Sequence, residues 1–314
     1  MTSATSLPSV IAVDVGGTKI EAAVVTAGGA VLAETRIRVT TGAAAAASAE
    51  AFADALLTTV RKVREHPLAA GISSIGIGAA GPVNLPEGTI SPINLPAVRD
   101  FEIVRRVQQA TGLDDVRLRL DGTCIALAEF WLGAAAGVQN AIAFVVSTGI
   151  GGGIVADGRV IAGASGNAGH LGQLVVDTPV NGDVFGATAE GQASGKYTVE
   201  WARAHGWSGT SGEELSAAVR AGDALALEAV ARSASALGRG LASVANLLNT
   251  ELAVMGGGFS YVTDDYPSQV ERIAREHSVN AYGRELRVVR AGLGKDAPLV
   301  GAAAQVLRAD LLSL

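Results

Sequence analysis

Three glycine-rich segments each follow a short apolar stretch that predicts a buried strand. They are Gly16-Gly17, residues 149–153 and residues 256–258, and the first two adjoin the hydroxyl side chains of Thr18 and Thr148. Because glycine has no side chain, the backbone N–H groups of such a segment can approach an anion closely. One segment of this kind usually makes only a turn, but three in one chain are hard to explain as turns alone.

Neither of two common nucleotide motifs accounts for these glycines. The P-loop pattern with its terminal Gly-Lys-Ser/Thr is absent. Gly16-Gly17 leads into a predicted strand and not into a helix, so the dinucleotide fingerprint is not met either. An acid, Asp121, follows the predicted strand 116–120 and precedes a predicted helix, where it either caps that helix or serves a reaction.

Alternating strand and helix patterns surround these segments. Residues 10–14, 20–25 and 30–37 predict three strands joined by glycine turns. In chain order the other predicted elements are helix 44–65, strand 74–77, helix 101–111, strand 116–120, helix 124–133, strand 141–147, helices 194–205, 211–220 and 223–247, strand 252–255, helix 266–277, strand 286–289 and helix 298–312.

The order strand, glycine turn, strand occurs near residue 10 and again near residue 141. This echo predicts an α/β fold of two halves with a cleft between them. We expect an N-terminal domain over residues 1–118 and a C-terminal domain over residues 119–314, with the last helix packing on the first domain.

Composition excludes several classes of protein. The chain has 314 residues, of which 49% are hydrophobic and 17% charged, so it can bury sizeable cores. Its net charge is −6 and no basic stretch contains interleaved aromatics, which argues against a nucleic-acid surface. The single cysteine, Cys124, excludes an internal disulfide. No signal peptide and no apolar run of the ~20 residues that cross a membrane is evident, so we expect a cytoplasmic protein.

Five segments carry a resemblance to a known family. Residues 11–19 (IAVDVGGTK) resemble the first phosphate motif of the ROK family, which comprises bacterial repressors, open-reading-frame proteins and sugar kinases. Residues 147–153 resemble its second phosphate motif, and residues 254–258 its adenosine motif. Residues 78–83 and 93–96 are similar to its sugar-side loops. The matches are in order and extend over nearly the whole chain.

This resemblance implies two actin-like (ribonuclease H-like) domains and the ATP-dependent phosphorylation of a hexose or N-acylhexosamine at its 6-hydroxyl, in a homodimer. Asp14 would hold Mg²⁺ through water, which suits an ion that keeps much of its hydration shell. The other residues implied to bind the nucleotide are Gly16, Gly17, Thr18, Lys19, Thr148, Gly149, Gly151, Gly257 and Gly258. The residues implied to bind the sugar are Gly81, Asn94, Asp121, His170 and Glu190.

Asp121 stands where the family has its catalytic aspartate. A sugar hydroxyl must release its proton as the phosphoryl group is transferred, and a carboxylate can accept that proton. The resemblance therefore implies that Asp121 is the general base, and helix capping is the alternative.

Two sugar-side positions differ from the family pattern. Leu120 stands where the family usually has an Asn that contacts a ring hydroxyl, and an apolar side chain can make no such hydrogen bond. His170 stands where a Glu usually binds the sugar, as in some bacterial N-acetylmannosamine kinases.

The zinc ligands of the family are also replaced. Gln173 stands for the ligating His, and Asn181, Asp183 and Thr188 for the three cysteines. These side chains lack the soft donors that structural zinc prefers, so we expect no structural zinc.

Several functions remain open at this point. N-acetylmannosamine is the first substrate expected, and a glucokinase or aminohexose kinase is the alternative. A catalytically silent sugar-binding or regulatory protein is the alternative from another class. We do not expect a repressor, because nine residues precede Val10, too few for a helix-turn-helix.

Overall fold

Two five-stranded sheets form the framework of the protein in the computed structural model, which describes residues 8–41 and 47–313. The strands are β1 (Val10–Val15), β2 (Lys19–Val25), β3 (Ile37–Thr40), β4 (Ser74–Ala79), β5 (Val83–Asn84), β6 (Thr89–Ile90), β7 (Asp115–Leu120), β8 (Ala141–Val146), β9 (Ile150–Ala156), β10 (Arg159–Ile161), β11 (Leu252–Gly256) and β12 (Arg287–Arg290).

The helices lie between and after these strands, and four of them follow one another between β10 and β11. They are α1 (Ala49–Arg64), α2 (Ile103–Thr111), α3 (Asp121–Trp131), α4 (Ala189–Ala193), α5 (Gly195–Ala204), α6 (Gly212–Arg220), α7 (Ala224–Leu248), α8 (Tyr266–Glu276) and α9 (Ala297–Leu307).

The two sheets repeat one topology. The first has the strand order β3-β2-β1-β4-β7 and the second the order β10-β9-β8-β11-β12. In each, the first strand pairs antiparallel with the next strand along the chain and parallel with a later one: β1 with β2 and β4, β8 with β9 and β11. The echo predicted from the sequence is therefore an architectural repeat, and the predicted α/β class is confirmed.

The chain divides into two compact units. The first comprises residues 1–132, 159–168 and 295–314, and the second residues 133–158 and 169–294, of which we describe the residues given above. The predicted boundary was at residue 118, whereas the first unit continues through α3, because that helix packs against α9. Helix α9 also packs on β1 and β4, which is why the end of the chain belongs to the first unit.

Burial explains why the central strands are almost wholly apolar. All six residues of β1 are buried, as are all five of β11, and parallel strands covered on both faces have such continuous runs. In the second unit, Phe144 of β8 and Leu237 of α7 lie in one core with Tyr266. The long helix α7 begins at its cap Asp223, which accepts a hydrogen bond from the Ala226 N–H at 2.8 Å.

Several predicted elements differ from the structure, among them the third strand and the first helix. The third strand was predicted at residues 30–37 but runs from Ile37 to Thr40, because a short 3₁₀ turn at Ala33–Thr35 occupies the earlier stretch. The Thr35 hydroxyl stabilises that turn by donating to the Leu32 carbonyl at 2.7 Å. Helix α1 begins after its cap Ser48, and the predicted helical residues 44–46 lie outside the described residues.

Among the described residues, no helix combines the length and the apolar character needed to cross a bilayer.

Candidate active site

Two acidic side chains of the first unit lie at the ends of neighbouring parallel strands. Asp14 is the fifth residue of β1, and Asp121 directly follows β7 as the first residue of α3. Strand β4 lies between these two strands and is parallel to both. Because parallel strands present their carboxyl ends at the same edge of a sheet, the fold brings the two carboxylates to one edge.

Burial makes the Asp121 carboxylate a weak acid. Withdrawal from solvent and, to a smaller extent, the negative field of Asp14 together raise its pKa from 3.8 to about 7, against the opposing effect of the Gly122 N–H. That N–H donates to Asp121 Oδ1 at 2.7 Å. A carboxylate with a pKa near neutrality is suited to accept a proton from an alcohol.

A buried ion-pair network adjoins Asp14. Asp14 and Glu21 are opposite each other in the β1–β2 pair, and Lys19 lies on the same face of β2 as Glu21. The Lys19 ammonium is 2.7 Å from Glu21 Oε2 and 3.4 Å from Asp14 Oδ2, so it neutralises two carboxylates that would otherwise repel. The Arg38 guanidinium donates two hydrogen bonds to Glu21, at 3.1 and 3.0 Å. Lys19, predicted to bind the nucleotide, thus also pairs with acids of its own unit.

Burial raises the pKa of both carboxyl groups and the neighbouring cations lower it, but the net result differs between Asp14 and Glu21. Burial raises the pKa of Asp14, and the Lys19 ammonium partly offsets that rise. For Glu21, burial also raises the pKa, but hydrogen bonds from Arg38 and Lys19 outweigh it, so the net pKa is lowered.

The first glycine segment forms a tight turn between β1 and β2. The Gly16 N–H donates to the Lys19 carbonyl at 2.9 Å. A Cβ atom on Gly17 would collide with the Asn94 amide, so only glycine permits this approach. The structure therefore brings together a residue predicted for the nucleotide and one predicted for the sugar. The exposed Thr18 side chain lies in the same turn.

Leu120 is a core residue in this structure. It is fully buried, and a Cβ atom on Gly81 would lie only 2.5 Å from Leu120 Cδ1. Asn167 holds the same loop, because its Oδ1 accepts from the Val83 N–H at 2.8 Å and its Nδ2 donates to the Val83 carbonyl at 2.7 Å. The apolar Leu120 side chain thus packs against the predicted sugar loop at Gly81, and Asn167 holds the loop at Val83 through two hydrogen bonds.

The second unit contains a cavity of about 610 Å³. Thr148, from the turn after β8, and Gly258, from the turn after β11, both lie in its wall. The rest of the wall comes mainly from α5, α6 and the turn that starts at Gly258. Gly257 has φ 87°, and a Cβ atom there would collide with the Val146 carbonyl, so glycine is required where the chain turns past β8.

The glycines 151–153 do not form the turn that the sequence predicts. They lie inside β9, and Gly151 is paired with Val145 of β8. Gly152 permits the close approach of the Gly169 backbone, since a Cβ atom on Gly152 would lie 3.1 Å from the Gly169 carbonyl. Only residues 147–149 form the turn. The visible role of the glycines in β9 is to allow close backbone packing.

Two predicted sugar residues of the second unit influence each other. Glu190 Oε2 accepts from the Ile150 N–H at 2.8 Å and would lie 2.9 Å from a Cβ atom on Gly149. His170 is half-buried, and burial lowers its pKa while the Glu190 charge raises it, with a net lowering. The imidazole is therefore mainly neutral at pH 7, so one ring nitrogen can donate a hydrogen bond and the other can accept one.

Hydrogen bonds hold the loop in which the family's zinc ligands are replaced. Asp183 Oδ1 accepts from the Gly186 N–H at 2.9 Å. The Thr188 hydroxyl donates to the Phe185 carbonyl at 2.7 Å and caps α4 by accepting from the Gly191 N–H at 3.1 Å. The structure thus shows what two of the four replacement side chains do, and the absence of zinc stays a prediction.

The sequence reasoning missed residues whose function depends on the fold. Glu21 could have been found, since it follows Lys19 by two positions and so lies on the same face of β2. Asn167 could not, because its partner Val83 is far away in sequence. The cavity residues of α5 and α6, among them Arg203 and Arg220, follow no local motif.

Comparisons with known proteins cover most of the chain. The model of the ROK family matches residues 10–309. A glucokinase of Halalkalibacterium halodurans is 31% identical over 312 residues, which cover 93% of this chain and 92% of that protein. An N-acetylmannosamine kinase of Escherichia fergusonii is 29% identical over 295 residues, covering 93% and 96%.

A solved structure agrees with the fold described above. The ROK family glucokinase of Streptomyces griseus, in complex with glucose and AMPPNP, superposes with a TM-score of 0.79 at 30% identity. The match covers 94% of this chain and 98% of that one.

Proposed function

The chain belongs to the ROK family and is a sugar kinase, and from this premise we propose that it phosphorylates N-acetylmannosamine or a related hexose with ATP, using Asp121 as the general base. The observation that carries the proposal is the Asp121 carboxylate after β7, whose pKa is raised to about 7. At that value it is ionised enough to accept a proton and basic enough to draw one from an alcohol.

The cavity of the second unit fits the adenosine side of a nucleotide. Its volume of about 610 Å³ is within the range of small-molecule sites, and its wall combines the apolar Phe259 and Val262 with the cationic Lys196 and Arg203. Thr148 adds a hydroxyl that can donate to a phosphate oxygen.

The first unit fits the phosphates and their metal ion. The turn at Gly16 and Gly17 also carries the exposed Thr18 side chain, whose hydroxyl can donate to a phosphate oxygen. Asp14 is one buried carboxylate, and Mg²⁺ is commonly held by one or two carboxylates together with water and phosphate oxygens. When bound, Mg²⁺ would neutralise phosphate charge during transfer.

The substrate preference rests on His170. A neutral imidazole in place of a carboxylate changes a group that would bind the sugar near its first carbons, which favours an N-acylated hexose. Glucose is the second candidate, because a glucokinase is among the relatives at 31% identity. The homodimer and the cytoplasmic location stay predictions.

A panel of sugars tests this proposal. ADP release is measured with ATP, Mg²⁺ and, in separate reactions, N-acetylmannosamine, mannose, glucosamine, N-acetylglucosamine and glucose. We expect N-acetylmannosamine to give the highest kcat/KM. If none of these sugars stimulates ADP release, the proposal of a hexose or N-acylhexosamine substrate is wrong, and if glucose is preferred, only the assignment of the first substrate is wrong.

A further inference from the structure

One wall of the cavity in the second unit is a turn that needs an anchor. The turn follows β11 and contributes Gly258, Phe259, Tyr261 and Val262 to the wall. Three consecutive glycines at residues 256–258 lead from the end of β11 into this turn, and glycine restricts the backbone less than any other residue type. Phe259 is buried and packs edge-to-face on Tyr266, so the core holds its ring, whereas the position of the Tyr261 ring depends on contacts elsewhere in the turn.

Arg290 makes those contacts from the neighbouring strand. It is the last residue of β12 and pairs in register with Met255 of β11. Its Nη2 donates to the carbonyls of Ser260 and Thr263, both at 3.1 Å, and its Nη1 donates to the Asp264 carbonyl at 3.1 Å. One guanidinium thus binds three main-chain carbonyls between residues 260 and 264 of the turn.

The same guanidinium also fixes a cavity side chain. It lies 4.7 Å from the centroid of the Tyr261 ring, at a distance typical of a cation–π contact. Tyr261 is itself part of the cavity wall and is 58% exposed, so no surrounding core holds its ring. Arg290 is not part of that wall, and so it acts on the cavity only through the turn and Tyr261.

We propose that Arg290 is a positioning residue for the nucleotide: it holds the 258–264 turn in the form that completes the adenosine side of the cavity. This inference rests on the proposed function, because it takes the cavity to be the nucleotide site. The planar guanidinium suits the role, since it offers several donors in a fixed fork and can stack on an aromatic ring at the same time. A lysine ammonium at this position can keep one or two of the contacts but not all four.

Steady-state kinetics and nucleotide binding test the proposal together. Arg290→Met removes all four contacts, and Arg290→Lys keeps some of them. Arg287→Met is the matched control, because Arg287 lies on the same strand with an exposed side chain. KM for ATP, KM for the sugar and kcat are measured for each protein, and the Kd of AMPPNP is measured by calorimetry without sugar.

We expect Arg290→Met to raise KM for ATP and Kd for AMPPNP by about tenfold, which equals about 1.4 kcal/mol of binding energy. Arg290→Lys should raise both by about threefold, while kcat and KM for the sugar stay within about twofold for both variants. Arg287→Met should match the wild type. If Arg290→Met does not fold, the Lys variant still decides between the outcomes.

Three results would overturn the inference. They are an unchanged Kd for AMPPNP in both Arg290 variants, an equal change in the sugar and ATP constants, and a loss of kcat alone. Failure of the proposed function has a different signature, because the wild-type protein itself would then bind no AMPPNP or would phosphorylate no sugar.

Discussion

Replacing Asp121 by Asn exchanges a carboxylate for an uncharged amide of almost the same shape. The amide oxygen can still accept the hydrogen bond that the Gly122 N–H donates to Asp121 Oδ1 at 2.7 Å. What the variant loses is the negative charge, which burial and the field of Asp14 disfavour. Keeping this carboxylate ionised in the folded protein at neutral pH lowers the free energy of unfolding. The Asn variant carries no charge there, so it should be more stable than the wild type.

The size of the effect follows from the pKa. Folding raises the pKa of Asp121 from 3.8 to about 7, so the folded state holds the proton more tightly than the unfolded state does. Stability therefore falls as the pH rises from about 4 to 7 and is lowest above pH 7. Since one pH unit is worth about 1.4 kcal/mol, the total is on the order of 4 kcal/mol.

Urea unfolding at two pH values measures this effect. At pH 8 we expect Asp121→Asn to be more stable than the wild type by about 3–4 kcal/mol, and at pH 5 by about 1–2 kcal/mol. Carboxyl groups that do not interact with Asp121 titrate alike in both proteins, so they cancel in the difference. Asp114→Asn changes an exposed acid seven positions earlier and should show no such pH-dependent gain. If the free energies of unfolding of Asp121→Asn and the wild type do not differ at pH 8, or differ equally at both pH values, the reasoning is refuted.

Three further predictions concern pH, substrate and metal. Because Asp121 must be ionised to act as a base, kcat/KM should fall as the pH drops below about 7, and a flat profile between pH 5 and 8 would contradict its role. His170→Glu should shift the ratio of kcat/KM values toward glucose, since it restores the carboxylate usual in the family; an unchanged ratio in a folded variant would exclude His170 as a specificity residue. Purified protein should contain less than about 0.1 zinc per chain, because residues 173–188 lack the soft donors of structural zinc, and about one zinc per chain would overturn this prediction.

The sequence predicted the fold class and most elements because burial leaves a strong pattern. Strand β1 is apolar except for Asp14, which stands out as the one acid in that run. The strand prediction for residues 30–37 failed because the turn at Thr35 depends on a hydrogen bond that its hydroxyl oxygen accepts from the Val24 N–H, a contact between segments that no local pattern encodes.

Motifs predicted the residues of the candidate site, but they did not predict the raised pKa of its carboxyl group. The spacing of Asp121 after an apolar strand marked it as a candidate, but its raised pKa arises from burial and from Asp14, more than a hundred residues earlier. Leu120 was expected to leave a sugar contact unmade, and the structure shows in addition that it packs under Gly81. Arg290 had no signal at all, because its partners are main-chain carbonyls of a different segment.

The turnover of Asp121→Asn tests the central claim most directly. The measurement is kcat with ATP and the best sugar of the panel, made on protein whose AMPPNP affinity and urea unfolding are already known. We predict that kcat falls by roughly 10²–10⁴-fold while the Kd of AMPPNP stays within about twofold of the wild type. A kcat within about threefold of the wild type, in a variant that folds and binds AMPPNP normally, would show that Asp121 is not the base.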